Sequence, residues 1–127
     1  MAWKKLYQES RDDKPEVWIS IGKERDGYEA LLEGDSIIGF IERITQSEKF
    51  NQPIVSLLSE DKSQRYLLFS PPNLTRQLND LMELVNGKSC LVKITYLGKK
   101  QAKNKEGLPI TYHAFEVEYD DEKTLEE

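Results

Sequence analysis

Five stretches of the chain between residues 34 and 119 carry apolar residues in runs or alternation typical of β-strands, and one stretch has helical spacing. The predicted strands span residues 36–45, 53–59, 65–70, 90–97 and 112–119. A helix is predicted between the third and fourth strands, with Asn73 as its N-cap and Asn86-Gly87 at its end. Its apolar positions recur at helical intervals: Leu74, Leu78, Leu81, Met82 and Val85.

Three strands, a helix and two further strands are the chain order of an OB-fold barrel. The sequence therefore predicts an all-β fold with one helix, a five-stranded OB-fold barrel over residues 34–119. Residues 1–33 are predicted to form an N-terminal arm packed on the barrel, with strand signals at residues 16–20 and 28–32 that suggest a hairpin. Residues 120–127 are acidic, lack a core-forming pattern, and are expected to be disordered.

The composition narrows the chemistry that the chain can carry. At 127 residues we expect one such domain, and no apolar run approaches the length of about 18 residues that spans a membrane. The single cysteine, Cys90, and the single histidine, His113, argue against a disulfide framework, a dedicated metal site or a cofactor. We find no phosphate-binding loop, zinc-protease motif or nucleophile elbow, so no catalytic residue is expected.

The net charge of −5 is unevenly distributed along the sequence. The arm carries −2, residues 34–119 carry +1 and the tail carries −4. Residues 97–105 contain four lysines and no acid, in the predicted loop between the fourth and fifth strands: Lys99, Lys100, Lys103 and Lys105. Local potential rather than net charge steers a polyanion. These lysines are therefore candidate phosphate contacts, and the alternative is a solvated loop whose lysines only aid solubility.

Single-strand binding also needs aromatic surfaces on which bases stack. The candidates are Phe50 in the polar loop after the first strand, Tyr66 on the third strand and Tyr112 at the start of the fifth. Packing at the barrel edge or under the loop is the alternative for each of them. Four further basic residues are candidates for the DNA-binding groove of the predicted barrel: Arg43, Lys49, Arg65 and Lys93. The alternative for each of them is a surface charge paired with a glutamate.

With these elements in place, the chain resembles phage-encoded single-stranded DNA-binding proteins of the OB-fold type. The resemblance covers residues 34–119 and rests on residues 34–39 (GDSIIG), 69–74 (FSPPNL), 90–100 (CLVKITYLGKK) and 113–117 (HAFEV). It implies non-catalytic, largely sequence-independent binding of single-stranded DNA in phage replication or recombination, in the cytoplasm of the host cell. The acidic tail implies recruitment of replication proteins, although it ends in Leu125-Glu126-Glu127 and not in the aromatic residue common in such tails.

A second function remains open at this point. The acidic net charge and the near-neutral barrel also fit a protein-interaction OB module, an adaptor or subunit of a replication or phage assembly. The N-terminal arm is the segment we would expect to form a homodimer. Retention on single-stranded DNA separates these two functions.

Overall fold

A computed structural model of the protein describes residues 15–47, 49 and 51–124. Within these ranges the chain forms seven strands and one helix. The helix α1 spans Pro72–Leu84. The strands, in chain order, are β1 (Glu16–Ile21), β2 (Glu29–Leu31), β3 (Ser36–Gln46), β4 (Pro53–Ser59), β5 (Arg65–Phe69), β6 (Cys90–Lys103) and β7 (Pro109–Thr124).

The strands form one sheet in the order β2-β1-β5-β4-β3-β6-β7, which curls into an open half-barrel. The predicted class, all-β with one helix, is confirmed. Strands β3, β4 and β5 pair in sequence and β6 returns to lie beside β3, so these four have the spatial order of a Greek key. Strand β5 takes β1 as its second neighbour, and the sheet remains open between β2 and β7.

The N-terminal strands differ from the predicted hairpin. Strand β1 pairs in parallel with β5, and β2 pairs in parallel with β1, so the prediction of an antiparallel hairpin is wrong. The physical reason is burial, because the parallel register places both Ile19 and Leu31 in the main core. The connection between the strands turns at Gly22 and Gly27, which both have positive φ. Residues 1–14 of the predicted arm, with Trp3, lie outside the described residues.

The helix α1 covers the inner side of the sheet with one apolar stripe. Leu74, Leu78 and Leu81 are buried and join the core residues of β3 to β7. The predicted N-cap is wrong, because the helix starts one residue before Asn73 and Pro71 holds the cap position without a side-chain bond. The Asn73 amide instead donates a hydrogen bond of 2.5 Å to the backbone oxygen of His113 on β7. The helix is thereby fixed to the outer edge of the sheet.

Strand β3 has a glycine, Gly39, where the backbone of β4 approaches it closely. A β-carbon at Gly39 would lie 2.7 Å from the backbone oxygen of Leu58, so only glycine lets β4 approach this closely. The pairing shifts register between Ile41 and Arg43, which leaves Glu42 as the additional residue of a β-bulge. Bulge and glycine together let one long strand serve both sides of the half-barrel.

Strand β7 is longer than predicted at both ends, and β6 starts where predicted but is longer at its C-terminal end. The expected disorder of residues 120–127 is wrong for residues 120–124, because β7 continues to Thr124, which pairs with Cys90. The backbone pairing with β6 outweighs the acidic composition there. At the other end the hairpin extends to Lys103 and Pro109, and the predicted lysine-rich loop is mostly strand. Residues 125–127 lie outside the described residues.

Candidate nucleic-acid interface

The distal part of the β6–β7 hairpin is a two-stranded projection that we call the ribbon, residues 99–103 and 109–113. Its ladder runs from Lys99 opposite His113 to Lys103 opposite Pro109. Every residue from 99 to 112 is exposed. The turn is closed by Asn104, whose side-chain oxygen accepts hydrogen bonds of 2.9 Å from the backbone N–H groups of Glu106 and Leu108. Lys99, Lys100 and Lys103 therefore lie on an ordered strand with fixed spacing.

A bulge at the base of the ribbon changes which side chains face each side. Tyr96 pairs with Phe115 and Gly98 with Ala114, so Leu97 is the additional residue. Gly98 has a φ of +91°, and a β-carbon there would collide with the Glu33 carboxylate. Before the bulge the even-numbered residues of β6 face the core, and beyond it the odd-numbered residues take that side.

The two faces of the ribbon differ in chemistry. Residues directly opposite each other in an antiparallel ladder lie on the same face. One face therefore carries polar and cationic groups: Lys99, Gln101, Lys103, Thr111 and His113. The other face, which we call the mixed face, combines a lysine with apolar and aromatic groups: Lys100, Ala102, Ile110 and Tyr112. On that face Ile110 is 44% exposed and Tyr112 is 40% exposed.

A hydrogen bond ties the ribbon to the core. The Tyr96 hydroxyl and the Nδ1 atom of His113 are 2.7 Å apart, and their rings pack with centroids 5.5 Å apart. Burial, followed by the nearby Lys99 ammonium, lowers the pKa of His113 below its usual value of 6.5. Burial, followed by Glu33, raises the pKa of Tyr96. The pair is therefore a neutral anchor at neutral pH, and the cationic charge of the ribbon resides on its lysines.

The four lysines that the sequence predicted as phosphate contacts lie on the ribbon and its turn. Lys99, Lys100 and Lys103 lie on β6, while Lys105 lies in the turn. Tyr112 lies directly opposite Lys100, so an aromatic ring and an ammonium group share one face. The sequence predicted the lysines in a loop and Tyr112 at the start of the next strand, whereas the ladder defines which lysine lies opposite Tyr112.

The remaining predicted basic residues lie away from the ribbon. Arg65 is 6% exposed, and its Nε and Nη2 atoms donate hydrogen bonds of 2.6 Å and 3.0 Å to Glu42. That burial removes Arg65 from any surface that a phosphate reaches. Arg43 and Lys49 are exposed on β3 and in the turn after it. Lys93 is exposed in a shallow depression that also contains three carboxylates: Glu60, Glu118 and Asp120.

The other two residues predicted to stack on bases are Phe50 and Tyr66, of which Tyr66 lies on β5 and not on the ribbon. Phe50 lies outside the described residues. Tyr66 is half-buried against the main core, and its hydroxyl accepts a hydrogen bond of 2.8 Å from the Gln64 amide. It lines a groove of about 790 Å³ between β2, the start of β3 and the β4–β5 turn. We call this the acidic groove, because its charged lining residues are all carboxylates: Glu29, Asp35, Glu60 and Asp61.

Three exposed apolar residues of the ribbon and its turn were not predicted as site residues: Ala102, Leu108 and Ile110. The sequence feature that could have identified them is the run Pro109-Ile110-Thr111-Tyr112, which is rich in residues that favour strands. It predicts an earlier start of the fifth strand, which would have placed Ile110 next to Tyr112 on the same face.

Comparison of the chain with models of protein families, with curated proteins and with solved structures found no match. Among the described residues, no group of three or more histidine, cysteine, aspartate or glutamate side chains is placed to hold a metal ion. In the same part of the chain, no helix has the length and apolar character needed to cross a membrane.

Proposed function

We propose that the chain is a nucleic-acid-binding protein of the OB-fold type. The Greek-key order of β3, β4, β5 and β6 supports this class, because the OB-fold is a partly open Greek-key barrel of five strands. Strand β7 would be the fifth strand, and α1 stands between the third and fourth, where the fold has its helix. In this arrangement the ribbon is the loop between strands four and five, one of the two loops that OB-folds use for binding.

Within that class, we propose a non-catalytic protein that binds single-stranded DNA with little sequence preference and acts in phage replication or recombination. The observation that carries this proposal is the mixed face of the ribbon, where Lys100 lies opposite Tyr112 and next to Ile110. A cationic group beside an aromatic ring suits a single strand, since a single strand offers phosphates and unpaired bases together.

Both faces of the ribbon would bind phosphates, and the mixed face would also bind a base. Ammonium groups on both faces would neutralise phosphates and release counterions, which gives affinity without reading sequence. The Tyr112 ring would stack on a base, and Ile110 would cover its apolar surface. A duplex hides its bases in the stack, so it would use only the lysines. The proposed site therefore prefers single strands through its aromatic contact.

The test is fluorescence anisotropy with a labelled oligo-dT and a duplex of equal length, each across a salt series. We expect tight, salt-sensitive binding to the single strand and clearly weaker binding to the duplex. No binding to either at low salt would refute the proposal. Equal affinity for both would refute the role of the aromatic contact and leave only an electrostatic one.

The acidic groove favours a second candidate function, a protein-interaction module that serves as an adaptor or subunit of a larger assembly. A groove whose charged lining residues are all carboxylates would repel DNA and attract a basic surface. Retention of the chain on single-stranded DNA resin at low salt favours the first function. Passage through the resin favours the second.

A further inference from the structure

The ribbon and the acidic groove are complementary in charge and in apolar character. The ribbon and its turn carry four lysines and one acid, Glu106. They also expose large apolar side chains, with Leu108 56% exposed. The groove combines four carboxylates with apolar lining residues, among them Ile38, which is 41% exposed. Among the described residues that line the groove, none is a lysine, arginine or histidine.

We propose that the mixed face of the ribbon lies in the acidic groove of a second copy of the chain. The Lys100 ammonium group would lie between the carboxylates of Glu29 and Glu60, and Ile110 or Tyr112 would cover Ile38. The groove volume of about 790 Å³ is that of an ordinary ligand pocket, which accommodates several side chains of a ribbon. Oppositely charged surfaces of this kind set the partner and orientation more than the affinity.

The groove lies next to the base of the ribbon, so two copies can bind each other through the same pair of surfaces. The groove begins at Asp35, whose backbone oxygen accepts a hydrogen bond of 3.0 Å from the N–H of Tyr96, next to the base of the ribbon. Ser36 in the groove also bonds Thr95 of β6, with 2.8 Å between their hydroxyl oxygens. Because ribbon and groove adjoin, a two-fold axis lets each copy place its ribbon in the groove of the other. Such an isologous contact closes at two copies.

The pairing would also regulate the proposed DNA site. Lys100 cannot face a carboxylate of the second copy and a phosphate at the same time, so DNA binding and pairing would compete. This consequence rests on the proposed function, whereas the pairing does not. The test of pairing below contains no nucleic acid, so its failure and the failure of the proposed function are distinguishable.

The test is sedimentation velocity of the full chain over a concentration series at low and high salt. Two charge-reversed variants accompany it: a ribbon variant (Lys100→Glu) and a groove variant (Glu29→Lys with Glu60→Lys). We expect the native chain to form dimers that dissociate as salt rises. Each variant alone should dimerise at least about a hundredfold more weakly, because like charges then face each other across both contacts.

An equimolar mixture of the two variants is the decisive sample. In the mixed dimer both contacts regain opposite charges, so we expect dimers to return, which also shows that both variants are folded. A matched control reverses Glu83 and Glu122 to lysine, away from ribbon and groove, and should dimerise like the native chain. A monomeric native chain, dimers unaffected by either reversal, no rescue in the mixture, or growth beyond two copies would each overturn the proposal.

Discussion

The two halves of the β6–β7 hairpin show how one pair of strands serves two purposes. The proximal half buries Val92, Ile94 and Tyr96 against the main core. The distal half, the ribbon, exposes both faces to solvent, although its ladder continues without interruption from Lys99 to Lys103. An isolated two-stranded hairpin is marginally stable in water. The ribbon is therefore ordered because it extends a packed hairpin, and its exposed side chains are available for binding.

The largest expected effect compares two isoleucines, one in each half. Ile94 is fully buried and Ile110 is 44% exposed. We expect Ile94→Ala to lower the free energy of unfolding by about 2–5 kcal/mol, because it leaves a cavity in the core. Ile110→Ala should change it by less than about 0.5 kcal/mol and should weaken oligonucleotide binding instead. Urea unfolding measures both variants, and equal losses of stability would contradict the division of the hairpin.

The next effect concerns two exposed tyrosines of β7. Tyr112 lies on the ribbon and Tyr119 in the proximal half, with exposed fractions of 40% and 45%. We expect Tyr112→Ala to weaken binding of oligo-dT by about 1–3 kcal/mol, the usual contribution of a base stacked on an aromatic ring. Tyr112→Phe should preserve most of the affinity, and Tyr119→Ala serves as the control. Similar losses for Tyr112→Ala and Tyr119→Ala in anisotropy titrations would place the binding surface elsewhere.

A smaller effect tests the bulge that separates the halves. Gly98 and Gly107 both have positive φ, but only at Gly98 does a β-carbon meet a neighbouring side chain, that of Glu33. Gly107→Ala should cost about 1–2 kcal/mol of stability from backbone conformation alone, and Gly98→Ala should cost more. Adding Glu33→Ala to Gly98→Ala should remove the difference. Denaturant unfolding of the four chains gives the comparison, and an equal cost at both glycines would contradict the steric role of Glu33.

The smallest effect is a pH dependence at the boundary between the halves. The pKa of His113 is lowered in the folded protein, so the unfolded chain binds the proton first as pH falls. This group therefore contributes stability above its unfolded pKa near 6.5, and the contribution is lost as pH falls through the folded pKa. We expect the native chain to lose more stability than His113→Gln between about pH 7.5 and about pH 5.5. Parallel pH profiles would contradict the neutral anchor.

Local patterns in the sequence predicted much of the half-barrel. Strand β4 follows its predicted bounds, and α1 starts and ends within two residues of its own predicted bounds. Proline and turn residues mark the ends of β4, and proline and glycine mark those of α1. The ribbon was predicted as a loop because its lysines show no burial pattern, and its strand conformation depends on pairing with residues 109–113. The parallel pairing of β1 and the Glu42–Arg65 ion pair likewise join residues far apart in sequence.

The salt dependence of oligo-dT affinity tests the central claim, that the ribbon is the nucleic-acid interface, most directly. The native chain is compared with Lys99→Ala/Lys100→Ala/Lys103→Ala and with a control that removes three other exposed lysines: Lys23, Lys88 and Lys123. We predict that the ribbon variant loses about 0.7 from the slope of log affinity against log salt for each lysine removed. The control should keep the native slope. An unchanged slope in the ribbon variant, or an equal loss in the control, would contradict the account.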